Sequence, residues 1–339
     1  PAPLTVWTAN LEHLFPEHNW RTFVERVAAA PRAPDLLFLT EVTRGETHTV
    51  VDALQEGVGS NYLFEHTTTG SNAVVWSTDR FGDAAVGNPL LWKPYGDIGC
   101  REPSTSDPSE VVGVRLRDAQ AGKGVVAVAV HWGKTWAAEC MEKNISALDA
   151  KIDELGRTRP LTIVAGDFNA HPDKQPVPGD PSAETLESGR ETDPDCWYRA
   201  FSALHDETLQ NPRPNEDDSD CSNDPNYSKS SDSYVDTVFA ANEPDALCEQ
   251  WTSIHGGPVA GGTSCTDLND DDLRDRGRID YIWVRWDDGH GEVVVPDAAE
   301  IRRLIPDAAA DQLCILDSCA ETRYSDHRGV WAVIGVDPR

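Results

Sequence analysis

The chain lacks any uninterrupted apolar run of about 18 residues, so no segment has the length and hydrophobicity of a membrane-spanning helix. It is also short of positive charge: 29 lysines and arginines stand against 58 aspartates and glutamates, a formal net charge of −29. No Lys/Arg-rich stretch occurs, whereas nucleic-acid binding ordinarily begins with a basic patch that displaces phosphate counterions. The charge therefore disfavours nucleic acid as a partner and favours a small zwitterionic or cationic ligand. Solubility in a salty medium accounts for the same charge without any ligand. No C-x-x-C pair is present, which removes the usual zinc and dithiol-redox motifs. No fixed-period repeat occurs either, which excludes solenoids and propellers.

What is present begins with eight cysteines, an even number scattered along the chain. Four disulfides are the simplest reading, with Cys314 and Cys319 as a local loop, and an oxidising, extracellular location follows. The sequence starts Pro1-Ala2-Pro3, as a mature secreted chain would after loss of a leader. A monomer is expected.

At 339 residues and 39% hydrophobic content the chain can bury a large core. Periodicity predicts strands over 4–9, 35–39, 73–77, 111–117, 125–131 and 161–165, and helices over 20–30, 47–57 and 140–155. Residues 171–234 are dense in Pro, Asp, Ser and Asn and read as a long loop-rich insertion, which Cys196 and Cys221 would pin. Regular structure is expected again over 233–240, 278–285 and 329–336. Strands recur from end to end, so a single domain, 1–339, with two packed sheets is expected.

Chemistry gathers at strand ends. Gly166-Asp167-Phe168-Asn169 places a carboxylate and a carboxamide two residues apart after an apolar strand, and the glycine permits close backbone approach. Such a pair is also common in ordinary turns. Ser325-Asp326-His327 offers a hard metal ligand beside a proton-transfer group. Arg278-Ile279-Asp280-Tyr281 sets a carboxylate into a strand suited to burial, where it needs a partner: an imidazole, or Arg278 itself. Asn10, Glu41 and His131 each follow an apolar strand as well. Six strand ends finishing on polar side chains of this kind converge if they share one rim.

This ordered set resembles the endonuclease/exonuclease/phosphatase superfamily, whose fold resembles that of deoxyribonuclease I, over residues 4–336. The resemblance implies an α/β (α+β) four-layer α-β-β-α sandwich and a divalent-metal-dependent phosphoric diester hydrolase. It makes Glu41 the principal ligand of a divalent cation, usually Mg²⁺, with Asn10 beside it and Asp326 helping. His327 becomes the general base and Asp280 its orienting carboxylate. Asp167 positions the attacking water, while Asn169 and His131 donate hydrogen bonds to phosphoryl oxygens. Glu12 matches a metal-site carboxylate found in some members, and Arg101 a loosely placed phosphate contact. All the catalytic positions are retained, which argues against a family member that only binds phosphorylated ligands.

Three substrate classes compete: DNA, membrane phospholipid and small diesters. Charge opposes the first, and the lack of an apolar loop suited to a bilayer opposes the second. Eleven tryptophans among many acids suit a cationic amine, each cation-π contact contributing about 1–2 kcal/mol. A glycerophosphodiester such as glycerophosphoethanolamine is therefore the expected substrate, and the chain is similar to secreted bacterial enzymes of that kind. Other motifs are weaker. The acidic run 267–272 begins like a calcium loop but has Asp272 where glycine is required. His13, His18, His48, His66, His171, His205, His255 and His290 share no motif and read as surface or core residues. Trp132 and Trp136, which flank the His131 segment, read as core before substrate contact.

Overall fold

In β1 (Ala2–Asn10), Leu4 and Val6 enter one apolar cluster while Trp7 and Ala9 enter another, so the strand has a core on each face. That double burial dictates a layered architecture. The computed structural model describes residues 2–14, 20–30, 32–93, 110–132, 138–155, 161–168, 234–236, 253–254, 276–277, 280–285, 302–304 and 329–336.

One six-stranded sheet has the order β13 (Arg302–Leu304), β14 (Gly329–Val336), β1, β2 (Leu36–Thr40), β4 (Ala73–Ser77), β3 (Tyr62–His66). The other has the order β5 (Leu90–Trp92), β6 (Val111–Asp118), β7 (Lys123–His131), β8 (Leu161–Asp167), β12 (Asp280–Arg285), β9 (Val235–Asp236). β10 (Ser253–Ile254) and β11 (Arg276–Gly277) pair separately. Four helices are described: α1 (Trp20–Ala29), α2 (Arg44–Val58), α3 (Thr78–Phe81) and α4 (Ala138–Leu155).

Three apolar clusters define the layers. Between the sheets, Leu4, Phe38 and Val74 meet Ala127, Ile163 and Ile282. Outside the first sheet, Trp7, Leu37 and Val75 pack on Phe23 and Val27 of α1 and Val50 and Leu54 of α2. Outside the second, Val126, Val164 and Trp283 pack on Leu148 and Ile152 of α4. The result is the expected α-β-β-α sandwich, with each buried aliphatic side chain contributing roughly 1.5–3 kcal/mol before entropy is counted.

Local chemistry explains the differences from expectation. Helix α2 begins at Arg44 rather than 47 because Thr43 and Glu46 form a reciprocal cap, Thr43 N to Glu46 Oε2 at 2.6 Å and Glu46 N to Thr43 Oγ1 at 3.3 Å. The helix stops at Gly59, whose φ of 77° is left-handed. Strands β3, β5, β10, β11 and β13 and helix α3 are additional to the predicted elements; β3, β5 and β13 are sheet edges and α3 is a single turn. Strand β12 starts at Asp280, two residues later than expected, and β9 is two residues long. The 171–233 stretch lies outside the described residues, as do all cysteines except Cys140, whose backbone belongs to α4.

Candidate active site

The inter-sheet face turns polar at one rim. In β7, Val125, Ala127 and Ala129 face the inter-sheet core and His131 continues that alternation; in β8, Leu161, Ile163 and Ala165 lead to Asp167. In β1, Leu4 and Val6 lead through Thr8 to Asn10, and in β2, Leu36 and Phe38 lead to Thr40. β1 is parallel to β2 and β7 to β8, and the contact between Asn10 and Asp167 joins the two pairs, so all four strands finish at the same end of the sandwich. Pairing then lines up residues across strands: His131 opposes Asp167, and Asp167 opposes Asp280 at the start of antiparallel β12. Glycine is required just before this row. Gly166 has φ 138°, and a Cβ there would sit 2.0 Å from the Val130 carbonyl oxygen.

The side chains meet across the two sheets. Asn10 Nδ2 donates to Glu41 Oε1 at 2.9 Å and to Asp167 Oδ2 at 3.2 Å. His131 Nε2 lies 3.5 Å from Glu41 Oε1 and 3.7 Å from Asp167 Oδ2. Asn10 and Asp167 are fully buried, whereas Glu41 and His131 keep some exposure toward the rim. Among the described residues, neither carboxylate meets a lysine or arginine.

A divalent cation fits this donor set. Glu41, His131 and Asp167 each offer a ligand atom within 4.8 Å of the others; the carboxylate oxygens suit magnesium or manganese, whereas the imidazole as a ligand suits zinc. Two carboxylates close together also repel each other unless a positive charge joins them.

Four of the expected site residues, Asn10, Glu41, His131 and Asp167, are thus brought together, and register puts Asp280 beside Asp167. Glu12 lies by its backbone in the 3₁₀ turn Glu12–Leu14 that follows β1. Arg101, Asn169, Asp326 and His327 lie outside the described residues. Val330 of β14 pairs with Thr8, so β14 starts at the rim where β1 ends, two positions after His327 in sequence.

The chain matches the model of the Endonuclease/Exonuclease/phosphatase family over residues 7–327. It belongs to that family. Among solved structures, this family member is similar to the endonuclease/exonuclease/phosphatase from Bacteroides vulgatus, at 15% identity and TM-score 0.50, covering 99% of this chain and 100% of that one. It is similar to D. rerio TDP2 complexed with single-strand DNA product, at 12% identity and TM-score 0.53, covering 99% and 100%. The human Nocturnin catalytic domain with bound sulfate matches at 14% identity and TM-score 0.52, covering 98% and 94%. No curated relative matches the chain in sequence. Family membership and the acid–imidazole–amide cluster together support phosphoester hydrolysis.

The structure adds two residues that carried no motif. Glu110, buried before β6, accepts from Thr69 N at 2.7 Å and Gly70 N at 3.2 Å, fastening the β3–β4 turn. His66, at the end of β3, reaches the backbone beside Glu41. Most of the described tryptophans are core residues: Trp7, Trp76, Trp92, Trp132, Trp283 and Trp331 are buried, and Trp132 packs edge-on against Phe168. An aromatic cage for an amine thus falls to Trp20 or to tryptophans outside the described residues.

Proposed function

We propose that this family member is a secreted, single-domain, divalent-metal-dependent phosphodiesterase acting on a small phosphodiester. A glycerophosphodiester such as glycerophosphoethanolamine is the leading substrate, yielding a phosphomonoester and an alcohol. The observation that carries the reaction class is the meeting of Glu41, His131, Asp167 and Asn10 at one rim, with acidic ligands for a cation and N–H donors beside them.

Glu41, with Asn10 and Asp326, would hold the magnesium ion, which when bound neutralises charge on the phosphoryl group. His131 Nε2, which lies 3.5 Å from Glu41 Oε1 and 3.7 Å from Asp167 Oδ2, serves as a donor to a phosphoryl oxygen, and Asn169 serves as a second. Asp167 orients the attacking water. His327 takes its proton, with Asp280 steadying the imidazolium that results. Water oxygen bonds to phosphorus as the bond to the leaving oxygen breaks, and that oxygen departs as the alcohol after gaining a proton. The net charge of −29 supports a small substrate over a nucleic acid.

Hydrolysis of bis-p-nitrophenyl phosphate is expected to vanish after exhaustive chelation and to return with added magnesium or manganese. Undiminished turnover in the chelated protein would overturn the metal reading. Glycerophosphoethanolamine, phospholipid vesicles and plasmid DNA assayed side by side are expected to rank in that order of efficiency. Faster nicking of the plasmid would make the chain a nuclease instead.

A further inference from the structure

Glu41 is held in a backbone state that few glutamates adopt. Its φ of 53° is left-handed, a conformation that costs a non-glycine residue about 1–3 kcal/mol and persists only where surrounding contacts impose it. Two hydrogen bonds hold the Glu41–Val42 peptide, and a third holds the peptide that follows it. His13 N donates to Glu41 O at 2.6 Å, Val42 N donates to Ser71 O at 3.0 Å, and His66 Nε2 lies 2.7 Å from Val42 O.

The third contact is the unusual one. His66 is 3% exposed, and its other nitrogen, Nδ1, lies 2.6 Å from the carbonyl oxygen of Thr67. Each ring nitrogen therefore lies within hydrogen-bond distance of a carbonyl, and the nitrogen that carries the proton donates to the one it faces. One carbonyl is local. The other lies 24 residues back, in the loop that presents Glu41 to Asn10 and His131. The turn that carries His66 is itself braced from the second sheet: Glu110 accepts from Thr69 and Gly70, while Asn72 Nδ2 donates to Glu110 O at 2.6 Å. A line of contacts thus runs from Glu110 through the β3–β4 turn and His66 to Val42 and the neighbouring acid.

A buried histidine that merely closes its own turn would need only the bond to Thr67. The bond to Val42 has a different consequence: together with Val42 N on Ser71 O it anchors Val42 on both sides, and Val42 N is part of the peptide that carries Glu41's left-handed turn. We propose that His66 is a positioning residue that sets the Glu41 carboxylate in its cation-binding pose, acting through the Val42 carbonyl. The inference rests on reading Glu41 as a metal ligand.

Two near-isosteric variants separate the two bonds. In His66→Gln the side-chain amide nitrogen falls near the position of Nε2 and keeps the donor to Val42; in His66→Asn it falls near Nδ1 and keeps only the donor to Thr67. Free Mn²⁺ is followed by electron paramagnetic resonance in a titration without substrate, well below each variant's melting temperature. His66→Asn is expected to weaken Mn²⁺ binding about 10- to 100-fold, the usual effect of losing an outer support of a metal ligand, and His66→Gln to stay within about threefold of the parent. Equal Mn²⁺ affinity in all three proteins, whatever their melting temperatures, would reduce His66 to a fold-supporting role and overturn the proposal. Equal weakening in both variants would overturn it too, since the Val42 bond would then not be the route. Failure of the unmodified protein to bind Mn²⁺ removes the metal reading of Glu41, and this inference with it.

Discussion

The two ends of the sandwich handle buried charge in opposite ways. At the far end, where β1 and β2 begin and β6 finishes, the guanidinium of Arg80 is 1% exposed and fully committed. It donates to Asp118 Oδ2 through Nε at 3.1 Å and Nη2 at 2.7 Å, to Asp35 Oδ2 at 3.0 Å, and to the Pro3 carbonyl. Asp118 Oδ1 takes the Gln120 and Ala121 amides, and Asp35 takes Thr5 N. Every acid there has a positive or N–H partner, and the network stitches α3 to both sheets. At the near end, Glu41 and Asp167 share one amide and approach one imidazole, without an arginine or lysine among the described residues. The far cluster is centred on an arginine and serves the fold; the near one brings an amide and an imidazole to its acids, groups that can also serve a ligand. Both look alike in composition.

Substitutions can break that contrast. The largest expected effect is on turnover: Glu41→Gln or Asp167→Asn is expected to lower kcat/KM about a thousandfold while leaving the melting temperature unchanged or raised, because relieving two close acids removes repulsion. A melting temperature that collapsed with activity would make the near rim a structural network like the far one. Next comes Arg80→Ala, which strands two carboxylates inside the protein. It is expected to cost about 3–5 kcal/mol in urea unfolding, with activity per folded molecule retained. Loss of activity without loss of stability would erase the distinction. The smallest effect concerns Asp35, whose pKa burial raises above the ordinary 3.8, with Arg80 pulling the other way. The folded protein holds this proton more tightly than the unfolded chain, so its stabilising contribution is present below pH 3.8 and is lost as pH climbs through the raised value. Asp35→Asn is therefore expected to flatten that part of the stability–pH curve, and an unchanged curve would contradict the assignment.

Much of this was legible in the residues, for reasons that differ by element. Strands β1, β2, β4, β6, β7 and β8 are buried on both faces, so each is an apolar run that stands out. β3 did not stand out, because Tyr-Leu-Phe-Glu-His on an edge mixes exposed Leu63 with polar Glu65. β5 is only three residues long. The true start of α2 was written in Thr43-Arg44-Gly45-Glu46, a capping-box spacing that apolar periodicity does not detect. Asn10, Glu41, His131 and Asp167 were readable as polar residues ending apolar strands, and the sheets account for their meeting. His66 was not readable, since its role depends on a tertiary contact with Val42 that no local pattern encodes. Arg80 likewise looks like any surface arginine until α3 turns it inward.

The stacked indoles of Trp7 and Trp331, 5.1 Å apart and nearly parallel, mark a pairing between distant parts of the chain. During synthesis β1 meets β2 early, but its other edge waits for β14, which is made long after both. Until then β1 presents an open row of backbone donors and acceptors, an aggregation hazard for a nascent chain. The same delay has a second consequence. Strand β14 reaches the rim only when it docks on β1, so that end of the sandwich is completed after the segments between the two strands have been made.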